Sequence, residues 1–406
     1  MNESNYYHPT VDLLNSAVIP SIIDFEKLEE QQKHIIDVLR TFCIPINEIK
    51  YTLGPSVVRY EIKPKSGQLY AKVRKNEHDI ALCISPMGGV RIISPVPGKN
   101  VMAIEMENPT PSTLLLKDVI GSDSLKNDTM DLPCTIGKTI DGGVLMFDLA
   151  KMPHLLIGGA TGQGKTTCLH NIIMSLLFKK LPHELKFVLI DPKGTEFEIY
   201  APLADSFLMK IPKCEHPIIT DVNDAILALN DLCELMDKRF DLLKRANVKN
   251  INEYNEKITS NLLDYADCHQ YMSYIVVVID EYADFIMTSG EDIEMPLVRL
   301  AQLAHSVGIH LVITTQRLTY NIITGIIRAT FPTSIAFRVT TESESRVIIQ
   351  NPDACKLLGK GDMLFAKGDM LFAYISELTR VQCAFVDEKE INRVIKFIAQ
   401  QEINQK

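Results

Sequence analysis

The sequence lacks tryptophan, long apolar runs and any excess of basic side chains. It contains no stretch of about 18 uninterrupted apolar residues, so no membrane-spanning helix is predicted. Residues Met1 to Ser4 do not combine a basic region with an apolar core, so no signal peptide is recognised. The nine cysteines form no C-x-x-C pair and are predicted to be buried apolar side chains of a cytoplasmic protein.

The charge balance limits what the protein can bind. Its formal net charge is −9, so the surface is not coated with phosphate-binding cations. Any contact with nucleic acid must therefore depend on a few placed arginine and lysine side chains. The hydrophobic content of 46% and the charged content of 23% are near globular averages, which excludes a disordered chain. A chain of 406 residues is long enough for about two or three domains.

A glycine-rich turn follows the apolar run Leu155–Ile157 and precedes the amphipathic segment Cys168–Phe178. This order predicts a buried strand, a loop and then a helix. Four residues of the turn fit the G-x-x-x-x-G-K-[ST] phosphate loop: Gly159, Gly164, Lys165 and Thr166.

Each residue type in this loop has a physical task. Glycines let the backbone curl so that successive N–H groups point at a polyphosphate, and the following helix N-terminus adds a favourable dipole. Lys165 is predicted to reach the β- and γ-phosphates, and the Thr166 hydroxyl is predicted to ligate Mg²⁺. The expected ligands are a nucleoside triphosphate and Mg²⁺. The residues predicted to bind them are Gly159, Ala160, Thr161, Gly162, Gln163, Gly164, Lys165, Thr166 and Thr167.

A second chemical signal is the β-branched run Tyr274–Ile279, which ends in Asp280 and Glu281. Open α/β sheets bind their ligands at the carboxyl ends of such strands. Asp280 is predicted to hold Mg²⁺, and Glu281 is predicted to polarise the attacking water. The next strand ends near Gln316, whose amide is predicted to sense hydrolysis beside the γ-phosphate. The predicted catalytic residues are Lys165, Asp280, Glu281 and Gln316.

Periodicity divides the chain into four regions. They are a mobile tail over residues 1–20, a small α+β subdomain over 21–125, an α/β nucleotide domain over 126–390, and a C-terminal helix end and tail over 391–406. Alternating strands and helices in the third region predict a parallel sheet with right-handed crossovers. The predicted strands are Leu155–Ile157, Phe187–Ile190, Ile275–Ile279, His310–Thr314 and Ser334–Phe337. The predicted helices outside the phosphate loop are Asp24–Phe42, Val222–Arg245 and Glu388–Gln400, and the predicted linker is Gly121–Asp128.

A tandem repeat near the C-terminus has two identical copies, Lys360–Ala366 and Lys367–Ala373. A Gly-Asp pair before an apolar run predicts a turn followed by a strand. Two copies are compatible with a hairpin or with a lengthened loop. Seven residues are too few for a solenoid repeat, and no function is assigned to them.

Several short segments are found together in one known family: Asp148–His154, Asp191–Lys193, Tyr254–Lys257, Asp280–Asp284, Gly308–His310, Thr315–Arg317, Ile323–Gly325 and Gly361–Leu364. Through them the chain resembles the FtsK/SpoIIIE family of double-stranded DNA translocases. Gly54–Glu61 and Pro97–Lys99 resemble the α subdomain of that family. The resemblance implies that residues 126–390 form a RecA-like P-loop NTPase domain.

The resemblance further implies a homo-hexameric ring that threads double-stranded DNA and moves it by hydrolysing ATP at subunit interfaces. Pore-loop arginines of the family correspond by position to Arg317, Arg328 and Arg346. Phosphate contacts carry no sequence information, which suits a motor that moves along any sequence. Six subunits would multiply a few charges around one pore, so an acidic protein could still bind DNA.

The chain departs from the family pattern at two positions. Glu342 stands where a pore-loop residue is usually basic, which is expected to weaken the grip on DNA. His305 stands where the family carries an arginine that reaches the neighbouring ATP site, and a neutral histidine supplies no fixed cation. Arg299, six residues earlier on a helix, is not placed to replace it. Slow or partner-dependent hydrolysis is therefore expected.

The sequence shows neither the N-terminal membrane domain nor the C-terminal winged-helix domain of chromosome-segregating members. We therefore expect a motor of chromosome partition or of a mobile element or plasmid, with a partner protein for anchoring or specificity. Two alternatives remain open: a secretion-type ATPase that moves protein, and a module that binds ATP to assemble a ring with weak hydrolysis.

Overall fold

The computed structural model describes residues 6–16, 23–65, 69–85, 89–96, 98–122, 129–212, 214–262, 269–359, 361–367 and 378–403. Most of the predicted linker, the second copy of the tandem repeat after Lys367, and both chain ends lie outside these residues. Within them, no helix is both long enough and apolar enough to cross a bilayer.

The first structural unit is a four-stranded antiparallel sheet with helices against it. The strands in the spatial order β1-β2-β4-β3 are β1 Ile46–Leu53, β2 Val57–Pro64, β4 Met102–Glu107 and β3 Arg91–Ile93. The helices are α1 Phe25–Thr41, α2 Leu69–Lys75 and α3 Glu77–Ile84. Helix α1 begins where the Asp24 side chain accepts the N–H of Lys27, which satisfies one free donor of the first turn. Its helically spaced Leu28, Ile35 and Leu39 are buried in the core of this unit.

The second unit is a large mixed sheet, of which the described residues form ten strands. In spatial order they are β6 Val144–Asp148, β5 Pro133–Thr139, β14 Leu378–Cys383, β13 Asp362–Lys367, β12 Thr333–Phe337, β7 Leu155–Gly158, β11 Ile309–Thr315, β10 Tyr274–Ile279, β8 Leu185–Ile190 and β9 Ile218–Ile219. Strands β12 to β9 in this order run parallel, and the four strands from β6 to β13 pair antiparallel. The fold is thus of the predicted α/β class.

Helices cover the large sheet. They are α4 Lys117–Ile120, α5 Lys165–Leu177, α6 Val222–Arg245, α7 Ile251–Thr259, α8 Tyr282–Ser289, α9 Glu291–Leu303, α10 Gly325–Thr330, α11 Glu342–Ile349 and α12 Glu388–Ile403. Helix α6 has the predicted bounds, and its N-cap Asp221 accepts the N–H groups of Asn223 and Asp224. All five predicted strands are present, but four antiparallel strands extend the sheet beyond the predicted parallel block.

The first copy of the tandem repeat supplies most of β13, which lies between β12 and β14. Gly361 and Asp362 thus lead into a strand, as the Gly-Asp pattern predicts. Together with β14, this strand connects the parallel block to the hairpin of β5 and β6.

The two sheets have separate apolar cores, and a buried ion cluster connects the two units. Glu105 of β4 is fully buried and contacts Arg59 at 2.7 Å, Arg91 at 3.2 Å and Arg380 of β14 at 3.0 Å. Arg380 also pairs with Asp362 of β13. A carboxylate from the first unit therefore shares an arginine with a carboxylate from the second.

The beginning of the described chain contacts its last helix. The N–H of Tyr7 donates to Gln401 at 2.8 Å, and Arg393 Nε donates to the Leu13 carbonyl at 2.7 Å. The N–H of Asn15 donates to Glu390 at 2.7 Å. The sequence predicts a mobile tail over residues 1–20, whereas residues 6–16 are held on α12 by these contacts. Short polar segments without periodicity give no sequence signal for such docking.

Candidate active site

The phosphate loop lies between the end of β7 and the start of α5, on the carboxyl edge of the parallel strands. Its backbone bends at Gly162, with φ of 74°, and at Gly164, with φ of 113°, a region that favours glycine. A Cβ on Gly164 would also lie 3.0 Å from the Phe337 ring and 3.2 Å from Gly361 Cα. The loop is therefore packed against β12 and against the turn before β13.

Lys165 begins helix α5 and is turned back into the loop. Its ammonium donates to the carbonyls of Gly159 at 2.8 Å and Ala160 at 3.0 Å. No carboxylate of the described residues lies within ion-pair distance of it. Burial lowers the pKa of Lys165, although the charges of Glu281 and Asp280 act in the opposite direction. The ammonium thus lacks a fixed counter-ion and suits an incoming phosphate.

Asp280 and Glu281 follow β10 directly, beside the end of β11. Thr314 of β11 donates to Asp280 Oδ1 at 2.6 Å, and Thr315 donates to Glu281 Oε1 at 3.0 Å. The N–H of Gln316 lies 3.1 Å from Glu281 Oε1 and 3.2 Å from Oε2. Each carboxylate is therefore held by the neighbouring strand.

Burial raises the pKa of both carboxylates. At Asp280 the hydrogen bond from Thr314 opposes this increase, and the nearby Asp191 carboxylate adds to it. At Glu281 the N–H of Gln316 and the hydroxyl of Thr315 favour the ionised form. Two carboxylates with little solvent around them form a site that a divalent cation would stabilise.

The Gln316 side chain connects this edge to the phosphate loop. Thr161 Oγ1 donates to Gln316 Oε1 at 2.5 Å, while the Gln316 N–H contacts Glu281 as described. The structure thus brings together the loop, both carboxylates and the amide that sequence patterns selected separately.

Sequence reasoning assigned no role to two groups at the neighbouring edge of β8. Asp191 is fully buried and accepts the N–H groups of Lys193 at 3.0 Å and Glu196 at 2.8 Å, which shapes the turn after β8. The exposed Lys193 lies close enough for its charge to lower the pKa of Lys165 and of Asp280. Asp191 and Lys193 follow β8, the strand adjacent to β10, and this position in the sequence could have identified them as site residues.

These residues fit a magnesium–nucleoside triphosphate. The loop N–H groups, the α5 N-terminus and Lys165 would hold the phosphates. Thr166 and Asp280 are an oxygen donor set of the kind that Mg²⁺ prefers.

Comparison with known proteins agrees with the two-part architecture. Residues 8–108 match the FtsK alpha domain, and residues 115–320 match the FtsK/SpoIIIE family. The chain belongs to the FtsK/SpoIIIE family.

Relatives in this family align over nearly the whole chain. The DNA translocase FtsK of Chlorobaculum tepidum is 40% identical over 399 residues, which are 98% of this chain and 48% of that protein. The DNA translocase SftA of Bacillus subtilis is 37% identical over 98% of this chain and 40% of its own length. The chain thus spans about half the length of the curated relatives it matches.

Solved structures share the fold. The pCW3 conjugation coupling protein TcpA, in its monomer form with ATPγS, has a TM-score of 0.59 at 22% identity and covers 91% of this chain and 99% of its own. The cytoplasmic domain of the type VII secretion ATPase EccC from Thermomonospora curvata has a TM-score of 0.56 at 22% identity. It covers 71% of this chain and 34% of its own.

The three arginines that correspond to family pore-loop positions have different surroundings. Arg317 is exposed beside Met287. Arg328 is half-buried, and its guanidinium donates to the Phe331 carbonyl at 3.3 Å. Arg346 is exposed and pairs with Glu342 at 3.1 Å, one turn earlier on α11. The acidic residue that departs from the family pattern therefore neutralises a neighbouring predicted DNA contact.

His305 and Arg299 lie on the surface near the end of α9. His305 is exposed in the short 3-10 segment Ala304–Val307. Arg299 donates to both carboxylate oxygens of Asp237 on α6, at 2.8 and 2.9 Å. Arg299 is therefore held by an ion pair within the chain.

Proposed function

We propose that this chain hydrolyses ATP and uses the energy to move double-stranded DNA. The observation that carries the proposal is the alignment of 98% of the chain, at 40% identity, with a protein named DNA translocase FtsK. The chain covers about half of that relative, and the proposal concerns this aligned part.

In the proposed reaction, Lys165 and the loop N–H groups hold the triphosphate and stabilise negative charge that develops on it. Thr166 and Asp280 would hold Mg²⁺, which would supply positive charge to neutralise the phosphates. Glu281 orients the attacking water and accepts its proton. Gln316, already in contact with Thr161, lies where it can respond to loss of the terminal phosphate.

We further propose a ring of six subunits around duplex DNA, in which Arg317 and Arg346 contact backbone phosphates. Their exposure supports this role. Arg328 is also assigned to the DNA contacts, but its half-buried guanidinium must move before it can reach a phosphate. With His305 in place of an arginine, each ATP site receives no fixed cation from its neighbour, so we expect slow basal hydrolysis.

The first test is ATP hydrolysis with and without duplex DNA. We expect stimulation by DNA in the wild type, loss of activity in Lys165→Ala, and a low but measurable residual rate in Glu281→Gln. Lys210→Ala, an exposed lysine remote from the loop that pairs with Asp205, is the matched control and should behave as wild type. An ATPase rate that is identical with and without DNA would contradict the proposal.

Movement itself is tested by displacement of a triplex-forming strand from duplex DNA. The wild type with ATP should release the third strand. Glu281→Gln should bind the DNA but leave the third strand in place. ATP-dependent ring formation without phosphate release would instead indicate an assembly module. Stimulation by a co-purifying protein, in place of DNA, would indicate protein cargo.

A further inference from the structure

Two adjacent threonines end strand β11, and each contacts one of the two carboxylates that end β10. The parallel register pairs Ile279 with Ile313, so the next residues bring Asp280 beside Thr314 and Glu281 beside Thr315. The Thr314 hydroxyl donates to Asp280, and the Thr315 hydroxyl donates to Glu281. Each threonine therefore serves one carboxylate.

The Thr315 hydroxyl both donates and accepts a hydrogen bond. It donates to Glu281 Oε1 at 3.0 Å and accepts the N–H of Arg317 at 3.1 Å. The side chain is fully buried, so these partners replace solvent and fix the orientation of the hydroxyl. With the N–H of Gln316, it directs the Glu281 carboxylate.

Glu281 needs such support because its backbone is in a sparsely populated conformation. Its φ of 45° and ψ of 62° lie in the left-handed region, which is costly for a residue with a Cβ. The Thr314 hydroxyl accepts the Glu281 N–H at 3.1 Å and so stabilises this turn. Strain of this kind persists where the surrounding contacts over-determine a side chain.

We propose that Thr315 is a positioning residue for ATP hydrolysis, which orients the Glu281 carboxylate and, through Gln316 and Thr161, links that orientation to the phosphate loop. The proposal rests on the ATPase function proposed above and adds to it a residue that does not touch the nucleotide. A continuous path of hydrogen bonds joins Glu281 to the loop. The N–H of Gln316 donates to Glu281, and the side chain of the same Gln316 accepts the hydroxyl of Thr161 in the loop.

A purely packing role for Thr315 makes a different prediction. Valine has nearly the shape of threonine and would fill the same space without the hydroxyl, so packing alone would tolerate it. Serine keeps the hydroxyl but lacks the methyl group. The pair Thr315→Val and Thr315→Ser therefore separates the hydrogen bond from the packing.

The test compares ATP hydrolysis and nucleotide affinity in these variants of the full chain with DNA present. We expect Thr315→Val to lower kcat about ten- to hundredfold, because a hydrogen bond to a charged group is lost. KM and the affinity for a fluorescent ATP analogue should stay within about twofold, and Thr315→Ser should recover most of kcat. Thr333→Val, a buried threonine on β12, is the control and should retain wild-type kcat.

A double-mutant cycle shows whether Thr315 acts through Glu281. In the Glu281→Gln background, Thr315→Val should cause no further loss of kcat, because the carboxylate that it orients is absent. Circular dichroism establishes folding of each variant. If Thr315→Val does not fold, Thr315→Cys, with its weak donor, replaces it and carries the same expectation.

Three outcomes would overturn the proposal: a kcat of Thr315→Val within twofold of wild type, equal losses in Thr315→Val and Thr315→Ser, or additive losses in the cycle. Failure of the proposed function is seen separately, since the wild type itself would then show no ATPase activity while still binding the analogue.

Discussion

Replacing Glu105 with glutamine tests the ion cluster that connects the two structural units. Glu105 is fully buried and faces Arg59, Arg91 and Arg380. Glutamine keeps the shape of the side chain but removes the charge, which leaves three guanidinium groups around a neutral amide. Breaking a buried ion pair in this way costs about 3–5 kcal/mol of folding stability.

The pKa of Glu105 gives a second estimate. Burial alone would raise it, but the charges of Arg91, Arg380 and Arg59 prevail and lower it from 4.5 to about 2. At 1.36 kcal/mol per pH unit, the lowering of this pKa from 4.5 to about 2 corresponds to about 3 kcal/mol of folding stability. Because the folded-state pKa is depressed, this contribution is present above pH 4.5 and is lost as the pH falls toward 2.

The measurement is urea unfolding followed by circular dichroism between pH 7 and pH 3. We expect Glu105→Gln to be about 3 kcal/mol less stable at pH 7, and the difference from wild type to shrink below pH 4.5. Asp237→Asn, which breaks the half-exposed pair with Arg299, is the control and should cost less than about 1 kcal/mol. A loss below about 1 kcal/mol for Glu105→Gln, with the same pH dependence as wild type, would refute the reasoning.

Three further predictions follow from single contacts. Glu342→Gln should free Arg346 and steepen the slope of log DNA affinity against log salt by about 0.9 per added phosphate contact, measured by fluorescence anisotropy; an unchanged slope would contradict this. Burial lowers the pKa of His310 from 6.5 to about 3, so this group's contribution to stability is full above pH 6.5 and is lost as the pH falls. Between pH 6 and pH 4, this histidine should lower the free energy of unfolding by about 1.4 kcal/mol per pH unit. In urea unfolding, His310→Phe should abolish this decrease. The control His216→Ala, at an exposed histidine, should show the same decrease as the wild type. Gly361→Ala should destabilise the protein by about 1–2 kcal/mol in thermal unfolding, because φ is 93° and the added Cβ would lie 2.9 Å from Gln382 Nε2; an unchanged melting temperature would exclude that strain.

Local pattern was sufficient for the parallel core of the fold. The apolar runs before Gly159 and Asp280 are continuous because strands covered on both faces are buried throughout, and they are strands in the structure. The end of α6 at Arg245 was also readable, because its apolar stripe keeps a helical period over the whole segment.

The antiparallel extension was not predicted. For β5 and β6 a local signal was present and was missed, because an Asp-Gly pair such as Asp141-Gly142 between two strands is typical of a hairpin turn. Strand β13 begins in a repeat whose two copies are identical, so local pattern could not tell which copy pairs with β12.

Contacts between residues far apart in sequence were also beyond a local pattern. Glu105 and Arg380 are separated by 275 positions, and nothing in either segment indicates the other. The sequence placed Thr315 in the family segment Thr315–Arg317 but gave it no role of its own. Its role depends on the register between β10 and β11, which single-sequence periodicity does not specify.

The contacts of residues 6–16 with α12 have a mechanical consequence. The chain leaves the large unit, forms the smaller sheet and returns, so the smaller unit is tethered twice to the same body. Together with the Glu105 cluster, these two connections should restrict rotation of the smaller unit relative to the large sheet more than a single connection would.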